Sequence, residues 1–521
     1  MLNYFSSKRQ SRALLQAFVA LTLILVFLFY TNDGYAYVRG THVEVLSDGD
    51  VVAVHSPVGG HAPAPTKIAT ASPNTSYPKP TATAPVHLST PSPSHKPTVH
   101  RPAPQLPTHP LNDTLLEKAP KYIKAILDPF DTSFDRLQCP SSITLIDRYA
   151  YLRSPPESQG KAVKPKYFFA LDLYEIADLL PRLMNSIIES IRFLGPENCV
   201  LSIVEGRSDD GTYEILYELH KKLQNLGVAY ILQTSDLDPK GGDRDRIDAL
   251  AELRNIALAD LIEHPEKYDP ETTIVFSNDV SLCMEDVLEL VHQKVLQKAD
   301  MMCGMDWNIW DPLAFYDSWV GRGINGDLFI KIIQEGDVMV DNEAGIFWNH
   351  KLSRERIDAW KPLQVFACWN GITVFTAKPF MEKKIKFRYV PADSDSECYQ
   401  AEPNLFAKDM WYHGYGRIGI VPTVNLAYSD GEAKSLREKK GWMQQHLVPD
   451  EEALIEWNPE PPAKVVCVPW LRGDQTWHAW NQGLPGYVAP PGGDTGKKDD
   501  YEDDQPDLKD DQSDEEESHD T

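Results

Sequence analysis

Val200-Leu201-Ser202-Ile203-Val204, followed by Glu205-Gly206-Arg207-Ser208-Asp209-Asp210-Gly211-Thr212, is the stretch that decides the fold. Its first five residues, nearly all apolar and rich in β-branched side chains, read as a buried strand. The small and acidic residues behind them read as a tight turn that opens a helix. Ligands of open α/β sheets sit outside the carboxyl ends of the strands, so a strand that ends in such a turn belongs at a binding edge. Glu205, at the strand end, is therefore placed near the ribose or base of a nucleotide, while Asp209 and Asp210 also read as helix-capping residues.

The same alternation extends on both sides. Tyr167 to Leu171, Val228 to Leu232, Thr273 to Phe276 and Met301 to Met305 are further strand-like runs, and helical patterns separate them. That is the signature of an α/β fold with a mostly parallel sheet flanked by helices. The first of those helices is expected to start with Asp178 as its cap and to carry Pro181 in its opening turn. Its stripe of Leu179, Leu180, Leu183, Met184, Ile187 and Ile191 would face the sheet. After Ile309 the pattern becomes irregular and aromatic-rich, as expected of an acceptor-facing half.

The flanks are of other kinds. Residues 1–12 carry Lys8, Arg9 and Arg12; residues 13–30 form an uncharged, almost wholly apolar run. That run nearly spans a bilayer and exceeds the h-region of a cleaved signal peptide, so it reads as a transmembrane signal anchor with a cytosolic N-terminus and a luminal remainder, type II topology. Residues 31–119, rich in Pro, Ser and Thr, read as a stem; residues 120–491 as the catalytic domain; residues 492–521 as an acidic disordered tail. Sequons at Asn74 and Asn112 suit a luminal stem. The net charge is −25, and from Asp494 to Asp520 the tail holds 14 acidic residues against 3 lysines. Such a balance excludes a nucleic-acid partner. The seven cysteines lack CxxC spacing, which argues against a zinc site and permits disulfides in an oxidising lumen. Cys199, Cys283 and Cys303 lie in apolar segments and read as buried hydrophobes.

Candidate chemistry falls on several further segments. The helix expected from Arg246 to Ile262 places Arg254 in its apolar stripe, where a guanidinium needs a carboxylate, carbonyls or a ligand phosphate. Phe276-Ser277-Asn278-Asp279-Val280 ends a strand with one carboxylate, suited either to a divalent metal or to helix capping. Gly304-Met305-Asp306-Trp307 and Phe315-Tyr316-Asp317-Ser318-Trp319-Val320-Gly321-Arg322 mix aromatics, carboxylates and a cation, and Trp319 serves a core as well as a sugar. Finally come Cys368-Trp369-Asn370-Gly371, where Asn-Gly is first a turn signal, then Glu402 and Asp409 as carboxylates for the reacting carbon, and His413 as a late metal ligand or a loop residue.

In this order the segments resemble the fungal cryptococcal mannosyltransferase and capsule-associated family, glycosyltransferase family 69, from about Lys166 to Tyr428. The resemblance implies a GT-A-like, Rossmann-related fold, a Golgi membrane location, and α-1,3 transfer of mannose from GDP-mannose to a glycan acceptor with retention, aided by Mn²⁺ or Mg²⁺. It assigns Asp279 and His413 to the metal, and Glu205, Arg246, Arg254, Asp306, Arg322, Trp369 and Asn370 to substrate. Asp317, Glu402 and Asp409 become the catalytic candidates. The chain departs from the family pattern at Gly323, where an acid follows the Arg, and at Pro403, where a Cys follows the later Glu. The second departure implies a missing family disulfide and leaves Cys398 without its partner. Two alternatives remain: the same fold with another donor such as UDP-xylose, and a non-enzymatic glycan assembly or export factor.

Overall fold

The computed structural model describes residues 110–140, 146–153, 164–241, 244–331, 345–469 and 475–489. The expected cytosolic tail, signal anchor, acidic tail and most of the stem lie outside them, as does Asn74. The stem's last residues are folded: Asn112 caps a short helix, Asp113–Leu116, through its side chain, and its N–H donates to Glu214 at 2.9 Å. Ordered structure thus begins before the expected boundary at 120.

A ten-stranded sheet runs through the domain in the order β3-β2-β1-β4-β9-β5-β10-β8-β7, with β6 paired to β5. Its strands are β1 (Tyr167–Leu173), β2 (Cys199–Glu205), β3 (Ala229–Thr234), β4 (Thr273–Ser277), β5 (Met301–Asn308), β6 (Ala314–Phe315), β7 (Arg322–Gly323), β8 (Leu363–Ala367), β9 (Ile372–Thr376) and β10 (Ile418–Leu426). The first four are mutually parallel, and β5 with β10 form another parallel pair. Between them β9 runs antiparallel to both β4 and β5, so the sheet is parallel in its first half and mixed in its second. A two-stranded ribbon, β11 (Lys464–Cys467) and β12 (Thr476–Ala479), stands apart.

Strand periodicity builds the layers. Tyr167, Phe169 and Leu171 point to one face of β1 and Phe168 and Ala170 to the other, and all are buried. On the first face pack α1 (Ala119–Leu127), α2 (Leu180–Leu194), α3 (Thr212–Leu226) and α5 (Met284–Leu296). On the second pack α4 (Arg246–Ala257), α6 (Glu402–Tyr412) and α7 (Asp430–Lys440). Each fully buried large apolar side chain contributes about 1.5–3 kcal/mol.

Three local expectations change. Helix α2 has Leu179, not Asp178, at its N-cap position and no side-chain capping bond, while Pro181 does sit in its first turn. The helix expected over Arg246–Ile262 breaks at Leu258, after which Ala259–Glu263 forms a separate turn. Cys283 and Cys303 are not simple hydrophobes: Cys139–Cys283, Cys303–Cys368 and Cys398–Cys467 are disulfides, and Cys199 alone is free and buried. Cys398 therefore has a partner from outside the recognised motifs. Pro403 occupies the opening turn of α6, a position that suits proline because no helical N–H is lost there.

Candidate active site

The carboxyl ends of β1, β2 and β4 open on a cleft of about 570 Å³. Its first wall is made by the loops after β1 and β2, which are stitched together. Glu175 N donates to Ser208 Oγ, Ile176 N to Thr212 Oγ1 and Ala177 N to Asp210 Oδ2, at 2.7–3.0 Å. The serine, aspartate and threonine of the opening motif thus hold two loops in register. Asp209 takes none of these bonds.

Asp172 and Val204 are paired in register and both line the cleft. Glu205 stands one residue further, and the two-residue pleat turns it to the opposite face. It is fully buried and accepts the N–H groups of Arg207 and Ser208 at 2.8 Å each. The expectation of a nucleotide contact is corrected: this carboxylate braces its own loop. Gly206 beside it leaves room for Tyr174, whose ring would stand 2.9 Å from a Cβ there. The ring, about half exposed, faces the cleft near Lys240.

The floor is a group of acids around one buried cation. Arg254 is 6 % exposed, donates to Glu402 Oε1 at 2.7 Å and lies over the Trp369 indole, 4.2 Å from its centre. Burial works against its charge, but Glu402 and then Asp172 raise its pKa above the ordinary value. Its Nη1 has no hydrogen-bond partner among the described residues. The brace reading of Arg254 matches this geometry, and the unpartnered Nη1 leaves it one donor to spare. Asp279, just past β4, is pushed up to about 6, chiefly by burial and further by the charge of Asp172.

The far wall begins at Asp317, pushed up to about 6 by burial against the opposing pull of the Asn370 N–H, which donates to it at 2.8 Å, and of Arg254. Behind it Asp306 is fully buried; burial and Asp317 hold its carboxyl well above the usual range, and one oxygen accepts from Tyr428 at 2.8 Å. The Tyr428 ring packs on Tyr316, centres 4.3 Å apart, and both line the cleft. Asn370 and Gly371 have φ of 54° and 83°, and a Cβ on Gly371 would crowd Leu426 and Val280 at 3.2 Å. That turn aims Trp369 into the cleft, and Gly371 O receives the Asn278 N–H at 2.8 Å.

The cleft thus gathers Arg246, Arg254, Asp279, Asp317, Trp369 and Glu402. Asp306 and Asn370 stand behind it. Three expected residues lie elsewhere. Arg322 is fully buried and donates to the carbonyls of Val466, Trp319 and Gly321, so it fixes main chain outside the cleft lining. Asp409 is held by Arg388 at 2.7 Å on α6, away from the lining. His413 stands at the exposed end of α6, outside the cleft lining, and among the described residues it belongs to no group of three His, Cys, Asp or Glu side chains. Asp172, Tyr174 and Tyr428 are cleft residues that the sequence reading passed over. Each stands at the carboxyl end of a parallel strand, by the rule that pointed to Glu205.

The acids also fit a divalent cation. Asp172, in β1, and Asp279, just past β4, stand at the ends of adjacent strands, and the charge of Asp172 raises the cost of ionising Asp279, a repulsion that a cation would relieve. Among the described residues no three His, Cys, Asp or Glu side chains come together as a protein-only cage. Two carboxylates are the usual protein share where phosphates and water complete the coordination shell.

Comparison with known proteins joins this geometry to a family. A family model described as Cryptococcal mannosyltransferase 1 matches residues 166–409. Over 326 residues the chain is 36% identical to the alpha-1,3-mannosyltransferase CMT1 of Cryptococcus neoformans var. neoformans serotype D, covering 60% of this chain and 69% of that protein. The chain belongs to the cryptococcal mannosyltransferase family. Among solved structures, Staphylococcus aureus TarS 1–349 is 11% identical with a TM-score of 0.29, over 55% of this chain and 68% of that one. The mannosyltransferase PcManGT of Pyrobaculum calidifontis, solved with GDP-Man and Mn²⁺, is 12% identical with a TM-score of 0.30, over 61% and 69%. Both likenesses are distant. The family match ends at Asp409, so β10, Tyr428 and the β11–β12 ribbon lie beyond it.

Proposed function

We propose that the cleft transfers mannose from GDP-mannose to a glycan acceptor in α-1,3 linkage, with retention, on a GT-A-like scaffold. The observation that carries this reading is the placement of Asp172 and Asp279 at the ends of β1 and β4, facing Asp317 across a cleft, in a chain of this family. The half-exposed Tyr174 ring offers a stacking face to the base, and Arg246, exposed at the start of α4, offers its charge to the diphosphate.

Asp279 with Asp172 would hold Mn²⁺ or Mg²⁺. The bound ion supplies electrostatic stabilisation to the departing diphosphate. The chain's own residues do the rest. Arg254 holds Glu402 in place at the floor of the cleft; Trp369 and the Tyr316–Tyr428 pair narrow the space around the sugar and exclude water; Asp317, ionised above about pH 6, is the carboxylate beside the reacting carbon. Preorganised charge of this kind is the largest contribution in most such sites.

The location also belongs to the proposal: a single-pass type II protein with its catalytic domain in the Golgi lumen, building capsule or cell-wall glycan. The apolar run 13–30 and the basic residues before it support it.

The test is isothermal titration of the full-length protein with GDP-mannose, with and without Mn²⁺. Metal-dependent binding is expected. Stabilisation by UDP alone in a parallel thermal shift would remove the mannose donor; absence of binding by folded protein would remove the enzyme reading.

A further inference from the structure

The segment that follows β10 is outside the family match, yet it is fastened to both lips of the far wall. On one lip, Trp319 lines the cleft and its Nε1–H donates to Val468 O at 2.5 Å. The buried Arg322 guanidinium donates to Val466 O at 3.0 Å and to Trp319 O at 2.8 Å, so one cation ties the strap to the tryptophan's own backbone. Val466 N in turn donates to Gly326 O at 2.9 Å. On the other lip, Cys467 is bonded to Cys398, just ahead of the Ala401–Pro403 turn that lines the cleft. Gln482 adds two contacts there, accepting the Cys398 N–H through its side chain and Lys408 Nζ through its carbonyl.

These contacts are costly for a merely decorative tail. A fully buried arginine loses several kcal/mol of hydration and recovers it only through well-placed acceptors. Here all its acceptors are main-chain carbonyls, which fix backbone positions and select no charge. The two lips are distant in sequence; Asn404 Nδ2 donates directly across to Val320 O at 2.6 Å, and the strap adds bonds to both sides of that contact.

We propose that this strap is a positioning device for the acceptor: it sets the separation of Trp319 from the Ala401–Pro403 turn, and Trp319 is the wall against which a pyranose acceptor lies. The nucleotide side of the cleft is occupied by Asp172, Tyr174 and Asp279, which leaves the far wall for the acceptor. An indole whose N–H is already bonded to a carbonyl presents only its apolar face, the complement of the C–H face of a sugar ring. Trp319 is thus a binding residue, while Arg322 and the Cys398–Cys467 bridge are positioning groups. The inference rests on the mannosyltransferase reading.

The experiment uses full-length protein with GDP-mannose, Mn²⁺ and α-1,3-mannobiose as the acceptor probe, comparing wild type with Trp319→Leu and with Cys398→Ser/Cys467→Ser. The acceptor KM is expected to rise about tenfold in both, while GDP affinity stays within about twofold, since Asp172, Tyr174 and Asp279 are untouched. Acceptor KM within about twofold of wild type, or an equal loss in GDP affinity, would overturn the proposal. Trp319→Phe, which keeps a ring and loses the N–H, settles the matter if the bridge-free protein does not fold: an acceptor KM raised about threefold supports the strap and an unchanged one removes it. If wild type neither binds GDP-mannose nor transfers from it, the mannosyltransferase reading falls and this inference with it. With wild type active, the strap is judged alone.

Discussion

The wall built by β1, β2 and β4 is held by ladder hydrogen bonds, apolar burial and neutral loop contacts such as Glu175 N to Ser208 Oγ. The wall facing it, from Tyr316 through Trp369 to α6, is held by the Arg254–Glu402 pair, the carbonyl-bound Arg322, and disulfides at Cys303–Cys368 and Cys398–Cys467. One wall is made of local periodic structure, the other of charges and bridges between residues far apart in the chain. The difference separates the tasks: the first wall changes little around a fixed diphosphate, while the second can be retuned to an acceptor by single substitutions. Variants should accordingly divide into those that lose chemistry and keep the fold and those that lose the fold.

The largest effect belongs to the first wall. Asp279→Ala is expected to lower kcat/KM by about a thousandfold or more, since it removes metal-assisted stabilisation of the leaving group. Its melting temperature should hold or rise slightly, because a half-buried acid held up near 6 is lost. A variant that keeps most of its activity under Mn²⁺ saturation would take Asp279 out of the site.

Next comes the second wall. Arg254→Met leaves Glu402 buried and unpaired, and the expected loss is about 3–5 kcal/mol of stability, read from denaturant unfolding. Arg254→Met/Glu402→Gln should recover most of that stability and little activity, because the open Nη1 donor is still missing. Equal recovery of both would reduce Arg254 to a brace.

What the sequence made legible follows the same division. Strands β1 to β5 were readable because each is an unbroken apolar run followed by a turn, and the end-of-strand rule marked Asp279 correctly as a residue of the cleft. It misplaced Glu205 by one residue of pleat, a slip that decides which face a carboxylate meets and that no composition reveals. The second wall was legible as residue types and illegible as geometry. Arg322 and Asp409 sit in dense polar motifs that resemble a site, yet their partners, Val466 and Arg388, come from chain positions that no local pattern connects to them. The Cys398–Cys467 pairing is hidden for the same reason. Tyr428 escaped because β10 contains Pro422 and a register shift between Ile420 and Asn425, which obscure its alternation.

A smaller effect tests the acids where the walls meet. Asp317 is held near 6 in the folded protein against an unfolded value near 3.9, so between those values the folded state keeps a proton that the unfolded chain has lost. Stability contributed at this site therefore falls as pH rises from about 4 through 6 and is flat above. Asp317→Asn preserves an acceptor for the Asn370 N–H and removes the ionisation. Its stability relative to wild type should grow over that pH range by on the order of 3 kcal/mol, while transfer is lost at every pH. A difference that is flat with pH would mean that Asp317 is ionised at little cost.

The smallest expected effect is at His413. If the far end of α6 takes no part in the chemistry, His413→Ala should change neither the Mn²⁺ concentration for half-maximal activity nor kcat/KM by more than about twofold, and should cost under about 0.5 kcal/mol, as exposed sites do. The side chain is exposed, and its backbone N–H is already bonded to Asp409 and Met410 carbonyls, so alanine keeps every contact that ends the helix. The informative measurement is the metal titration. A tenfold rise in the Mn²⁺ requirement would demand that the end of α6 swing into the cleft on binding, with the Lys408 and Arg388 ion pairs to Glu397 and Asp409 broken on the way. An unchanged titration would leave the metal to Asp279 and Asp172, on the wall whose geometry the ladders fix.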